Sequence, residues 1–232
     1  MNKKGSHIGI MISFTIFIVF LIFLYGILEP SIKTEKDTEL ILEDLKINLI
    51  KELSVEVNIT TLKIIDYLGS ASCIEIINPN FISSSNLVIK DKLNNELGYE
   101  KISALKINSD SNFFKIYEAE LFGDRSVYLS SCLELTPINY TLGLTKANKY
   151  VSINKISELK QKYENDYGGL KNELNLYAGG EFGFNFILNN KTSIGVEEKD
   201  VSTSIYAEEI SVQYVDESAN ILIGTLNIRT WG

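Results

Sequence analysis

The first fifty residues of the chain contain two successive patterns of apolar positions. An uncharged run of 21 residues, Ile8–Leu28, consists mostly of Ile, Phe, Leu and Val. As a helix rising about 1.5 Å per residue, such a run is roughly 30 Å long, which matches the hydrocarbon core of a bilayer. After it, apolar residues recur every four positions at Ile41, Leu45, Leu49 and Leu53, a spacing that predicts an amphipathic helix.

Beyond residue 54 the pattern changes to short runs rich in Ile, Val, Tyr, Phe and Thr, separated by Asn, Asp, Gly and Ser. Such runs predict strands. The predicted strands are Val55–Asp66, Cys73–Ile77, Leu87–Lys90, Ile102–Ile107, Phe113–Phe122, Val127–Leu135, Phe182–Leu188, Ser193–Glu197, Val201–Val215 and Ile221–Trp231. One helix, Lys155–Asn175, interrupts them, with Gly168-Gly169 as its weak point.

These patterns predict an α+β fold in which a long N-terminal helix precedes a β-rich antiparallel extracellular head. We expect residues 1–5 to be a short basic leader, 6–28 a transmembrane helix, 29–54 an amphipathic stalk helix, and 55–232 one β-rich domain. Pro30 allows either a kink in one long helix, the start of a second helix, or a plain break at the membrane surface.

The flanks of the apolar run indicate how it lies in a membrane. A cleaved secretory signal is the alternative, but its apolar region is shorter and ends in small residues, whereas this run ends in Ile27-Leu28-Glu29-Pro30. Lys3 and Lys4 precede the run without a neighbouring acid. Because excess positive charge stays in the cytoplasm, we expect a single-pass cell-membrane protein with a cytoplasmic N-terminus and an extracellular C-terminal domain.

The leader Met1-Asn2-Lys3-Lys4-Gly5, directly before the apolar run, resembles that of type IV pilins and pilin-like proteins. In that family a membrane peptidase cuts after the glycine and leaves the apolar helix on the mature chain. The resemblance therefore implies processing between Gly5 and Ser6 by a prepilin peptidase. Many bacterial pilins carry glutamate at the fifth mature position, where this chain has Ile10, which favours the archaeal type or a role outside filament assembly.

Composition argues against several classes of function. The chain has a formal net charge of −8, and because Lys3 and Lys4 contribute +2 before the span, the rest carries −10. An acidic head with two arginines lacks the basic stripe of nucleic-acid-binding proteins. The single histidine, His7, precedes the apolar run, so we predict no His-dependent catalytic site and no enzyme activity. We also predict no metal site and no cofactor.

The two cysteines lie in near copies of one segment, Ser72-Cys73-Ile74-Glu75-Ile76 and Ser131-Cys132-Leu133-Glu134-Leu135. If these segments form neighbouring strands, a disulfide is possible, and an extracellular compartment permits it. The alternative is a pair of unpaired thiols packed as small apolar side chains.

Two further motifs depend on the outward placement. Three Asn-x-Ser/Thr sequons begin at Asn58, Asn139 and Asn190 and are candidates for glycosylation, although sequons also arise by chance in an Asn-rich chain. The segment 108–112 alternates oxygen ligands like a calcium loop, but Phe113 replaces the expected glycine, so a polar turn is favoured.

The sequence thus favours a structural, pilin-like surface protein whose partners are the lipid bilayer and further copies of itself or other pilin-like subunits. The alternative is a permanently membrane-anchored binding protein, such as an adhesin, a sensor or a subunit of a membrane complex. A membrane-anchored enzyme ranks third because no catalytic pair can be located.

Overall fold

A computed structural model describes residues 5–65, 71–84, 86–108, 111–176, 180–196 and 204–231, and the side chains of the first helix over residues 9–27 and 39–53. That helix, α1, is one continuous element of 49 residues, Gly5–Leu53, which passes through Pro30 without a break. The first of the alternatives for Pro30, one long helix, is therefore the one observed.

The remaining described residues form a β-rich head with two short helices. Its elements in chain order are β1 (Ser54–Ile64), β2 (Cys73–Ile77), β3 (Leu87–Asp91), β4 (Glu96–Leu97), β5 (Tyr99–Lys101), β6 (Ala104–Asn108), β7 (Phe113–Glu118), a 3₁₀ turn (Glu120–Phe122), β8 (Leu133–Leu135), β9 (Tyr140–Ser152), α2 (Ile153–Asn165), α3 (Tyr167–Glu173), β10 (Glu181–Ile187), β11 (Ser193–Gly195), β12 (Ile205–Val215) and β13 (Ile221–Trp231). An α+β fold with an apolar N-terminal helix and a mostly antiparallel β domain is confirmed.

The strands form two sheets in the described part of the chain. The larger has the order β11-β10-β13-β12-β9-β1-β7-β3-β4 and the smaller β5-β6-β2-β8. All neighbours are antiparallel except β12 with β9 and β2 with β8. The two long strands β12 and β13 form a hairpin whose turn is closed by Asp216 and Asn220.

Three apolar clusters hold these layers together. The first lies between the second half of α1, the helices α2 and α3, and one face of β10, β13 and β12. The second fills the space between β1, β7 and β3 and the smaller sheet. The third includes Val88 and Tyr117 of the larger sheet and is covered by Val215 and Ala219 beside the β12–β13 turn.

Strand β9 was not predicted from the sequence. It pairs with β1 from Tyr140 to Val151, with one irregularity between Thr60 and Leu62, but with β12 only through Val151 and Ser152. Residues 141–147 are exposed, so the strand lacks the apolar alternation that sequence patterns detect. Backbone pairing with β1, rather than burial of its own side chains, holds most of β9 in place.

Three other predicted elements need correction. The predicted strand Phe113–Phe122 ends at Glu118, and Glu120–Phe122 forms the 3₁₀ turn. In the run Val127–Leu135 only β8 is a strand, since Val127 and Tyr128 are exposed and the Val127 N–H donates to the Tyr99 carbonyl at 2.7 Å. The helix Lys155–Asn175 is divided at Asp166 rather than at the glycines. The Asp166 carboxylate accepts from the Gly169 N–H at 2.9 Å and begins α3.

Candidate functional site

The first half of α1 projects from the head as an exposed apolar rod. Residues Gly9–Ile27 are long and apolar enough to cross a membrane, and none of this segment is buried. Fifteen large apolar side chains from Ile10 to Ile27 are exposed. The hydroxyl of Thr15 donates to the Met11 carbonyl at 2.9 Å, so this polar group is satisfied inside the helix, as a lipid environment requires.

The second half of the same helix is part of the core of the head. Leu45, Leu49 and Leu53 are completely buried against the sheet and the two short helices. Their spacing of four residues places them on one side of α1. Ile47 lies on the opposite side and is 56% exposed. The amphipathic pattern therefore reports a real division between a buried face and a solvent face.

Polar contacts fix the position of the second half of α1 against the head. The Asn48 side-chain amide donates to the Leu174 carbonyl at 3.0 Å. The Lys46 ammonium contacts the Glu208 carboxylate on β12 at 2.8 Å, and this hydrogen bond raises the pKa of Lys46. Both partners are partly exposed, so the ion pair contributes little stability, but it sets the register between α1 and β12.

The candidate processing position lies at the beginning of α1. The helix begins at Gly5, and Ser6 is its second residue, while Met1–Lys4 fall outside the described residues. The bond between Gly5 and Ser6 is thus separated from the head by the whole apolar segment. An enzyme that cuts there would have to work at the opposite end of the span from the head.

The two cysteines are joined by a disulfide across the smaller sheet. The near-copy segments that contain them form β2 and β8, which pair in parallel with Ile74 opposite Leu133 and Ile76 opposite Leu135. Continuing that register by one residue places Cys73 opposite Cys132, and their Cα atoms are 4.5 Å apart. The two copies of the repeated segment thus form neighbouring parallel strands, in which equivalent residues lie opposite each other.

The three sequons differ in accessibility. Asn58 lies in the middle of β1, between β7 and β9. The threonine of its sequon, Thr60, is buried and hydrogen-bonded to Thr145. Asn190 lies in the exposed turn between β10 and β11. Asn139 lies in the turn before β9, where it is half-buried and accepts from the Thr136 backbone N–H. The geometry therefore favours Asn190 and Asn139 over Asn58.

The described residues contain no group of three or more His, Cys, Asp or Glu side chains able to hold a metal ion. Adjacent carboxylates on β12 are used separately, since Glu208 binds Lys46 and Glu209 accepts from the Asn227 side chain. The segment 108–112, for which the sequence favours a polar turn over a calcium loop, lies partly outside the described residues.

No protein-family model, curated protein or solved structure matches this chain. The main feature of the molecule that bears on function is the division of α1 between an unburied apolar segment, Gly9–Ile27, and a second segment with one face in the core of the head. Sequence patterns located both halves. They did not find the polar contacts of Lys46 and Asn48, because the partners of these residues lie more than 120 residues away along the chain.

Proposed function

We propose that the chain is a pilin-like, single-span surface protein. In this proposal Gly9–Ile27 lies in the bilayer before assembly and in the core of a helical bundle after assembly, while the head lies outside the cell. The observation that carries the proposal is that one continuous helix is apolar and unburied over Gly9–Ile27 and contributes Leu42, Leu45, Leu49 and Leu53 to the core of the head.

The exposed half of α1 cannot be stable in water. Burying a fully exposed large apolar side chain gains about 1.5–3 kcal/mol, and because these fifteen are each 36–71% exposed, covering them gains roughly 20 kcal/mol. That quantity exceeds the whole stability of a typical domain, which is about 5–15 kcal/mol. A partner must therefore cover the segment, and lipid or the same segment of other copies would do so around its entire circumference.

Continuity of the helix links anchoring to the position of the head. Nineteen residues of span measure about 28 Å and the whole of α1 about 73 Å. Because Leu45 and Leu49 belong to the core, the head cannot swing freely about the stalk without opening that core. Regular packing of the spans would thus set the spacing and orientation of the heads, as a filament subunit needs.

Charge and covalent features support the outward placement of the head. Lys3 and Lys4 stand before the span, and the rest of the chain carries the net negative charge. The disulfide between Cys73 and Cys132 belongs to the kind of bond that persists in oxidising compartments. Prepilin-type cleavage between Gly5 and Ser6 would then occur on the cytoplasmic side and release the helix for assembly.

The test is the intact mass of the protein purified from its native membrane, together with electron microscopy of the cell surface. We expect the mass to lack Met1–Gly5 and the cells to carry filaments that contain this chain. A Gly5→Val variant should remain uncut and lose the filaments. The matched control is Gly26→Val, since a Cβ at Gly26 meets no atom within 4 Å, and it should be cut like the wild type.

An uncut wild-type chain would contradict the filament role. The permanently anchored binding protein would then be the better description, because it needs the same span but no processing. Cutting that is unaffected by Gly5→Val would contradict the proposed processing site.

A further inference from the structure

A cleft with a basic lining lies where the β12–β13 turn packs against β3 and β7. Its volume is about 440 Å³, within the range of small-molecule sites. The polar residues that line it are Lys90, Asn94, Lys115, Tyr117 and Asn220, and no acidic residue is among the described residues that line it. The lining of the cleft is therefore positively charged, although the chain as a whole has a net charge of −8.

The two lysines are a directly opposed cross-strand pair. Lys90 on β3 pairs with Lys115 on β7 in the antiparallel register. Like charges in that position destabilise a sheet. Lys90 is in addition only 3% exposed, and a buried cation is costly unless a charge partner compensates it. Glu96 on β4 lies opposite Lys90 on its other side, so the repulsion between the two lysines is offset from that side alone.

Among the described residues, the groups that contact the buried ammonium are neutral. Lys90 donates to the side-chain oxygen of Asn220 at 2.7 Å and lies 5.8 Å from the centre of the Tyr117 ring. Within the described part of the chain, no carboxylate oxygen approaches Lys90 as closely as 4.0 Å, the limit for an ion pair. The positive charge is thus solvated by an amide dipole and a ring face.

The acidic residues near Lys90 and Lys115 do not neutralise the positive charge of the two lysines. Burial lowers the pKa of Lys90, and the charge of Lys115 acts in the same direction, while Asp216 and Glu96 oppose both. Glu96 is itself paired with Arg125 at 3.2 Å. The carboxylate of Asp216 accepts hydrogen bonds within its own turn, including one from the Asn220 N–H at 2.8 Å.

Two turns of the same construction hold the lysines in place. In each, an aspartate accepts from the backbone N–H two residues and four residues later, as Asp91 does in the β3–β4 turn and Asp216 in the β12–β13 turn. The first turn presents the Asn94 side-chain oxygen to Lys115 at 3.2 Å, as the second presents Asn220 to Lys90. Both ammonium groups are therefore positioned before any ligand arrives.

We propose that this cleft binds a small oxyanion, namely a carboxylate, phosphate or sulfate group, between Lys90 and Lys115. The ligand neutralises the opposed lysines and accepts charge-assisted hydrogen bonds from both. The volume of about 440 Å³ leaves room beside the two lysines for the body of a small acid. This inference concerns the head alone and does not depend on whether the chain is processed or assembled.

The test is isothermal titration calorimetry of the full chain in an uncharged detergent with inorganic phosphate, sulfate and acetate, each compared with sodium chloride at equal ionic strength. We expect saturable binding of at least one oxyanion, and the preferred anion identifies the group that the cleft takes. Lys90→Met and Lys115→Gln should each weaken binding by about tenfold or more, because each removes a charged hydrogen-bond donor.

Lys149→Gln is the matched control, since this exposed lysine on β9 lies outside the cleft, and it should change binding by less than about twofold. If Lys90→Met does not fold, Lys115→Gln decides the question, because its side chain is only half-buried. Binding of no oxyanion beyond chloride, or equal binding by Lys115→Gln and wild type, would overturn the proposal.

Discussion

Replacing Leu49 by alanine tests whether the stalk half of α1 is core rather than a linker. Leu49 has no exposed area and lies in the cluster that joins α1 to the sheet. The change removes three buried carbon atoms, worth roughly 2.4 kcal/mol at about 0.8 kcal/mol each. The cavity left behind adds to this loss, so we expect a decrease of about 3 kcal/mol in the free energy of unfolding.

The matched control is Ile47→Ala on the same helix. Ile47 is 56% exposed, so we expect a change within about 0.5 kcal/mol. Both variants are measured by urea denaturation of the full chain in an uncharged detergent. Fluorescence of Trp231, the one tryptophan of the chain, reports unfolding of the head because it lies on β13, whereas circular dichroism also records the span.

In a head of this size, 3 kcal/mol corresponds to a decrease of about 6–12 °C in Tm for Leu49→Ala. Equal effects of the two substitutions would contradict the assignment of Leu49 to the core, since buried and exposed positions of a core helix cannot respond alike. A Leu49→Ala protein as stable as the wild type would mean that the head folds without α1.

The span, the disulfide and the sequons can each be tested by substitution. Phe17→Lys should reduce the membrane-bound fraction of newly made protein, because a central lysine costs about 2.5–3.5 kcal/mol on insertion, whereas Ile47→Lys, equally exposed on the same helix, should fractionate like the wild type. Cys73→Ser should lower the free energy of unfolding by about 4 kcal/mol, as the 59-residue separation implies, and dithiothreitol should destabilise the wild type but not this variant. In cells that glycosylate sequons, Asn190→Gln should lower the intact mass by one glycan while Asn58→Gln should not, and a glycan on Asn58 would contradict the central position of β1.

Local patterns predicted those elements of the fold that bury their own side chains. Strands β2 and β13 have the predicted bounds, because their apolar residues are set by the pleat and by clear turns. Strand β9 was not predicted because Gly143, Lys146 and Asn148 disfavour strands and its stability comes from pairing with β1.

The candidate sites also differ in whether they depend on local sequence or on contacts between distant residues. The span is a property of consecutive residues, so the sequence alone located it. The opposition of Lys90 and Lys115 depends on the register of β3 and β7, and the contact of Lys90 with Asn220 joins residues 130 positions apart. No local signal marks such a pair. The repeated segment around the two cysteines could be predicted in part. The repeat is visible in the sequence, but its in-register pairing is visible only in the fold.

The most direct test of the central claim, that α1 crosses the membrane and places the head outside, is labelling of Gln161→Cys in intact cells with a membrane-impermeant maleimide. Gln161 is exposed on α2, and both native cysteines are held in the disulfide, so the new thiol is the reactive one. We expect labelling of intact cells, with a cytoplasmic thiol protein labelled only after lysis. Labelling of Gln161→Cys only after lysis would contradict it.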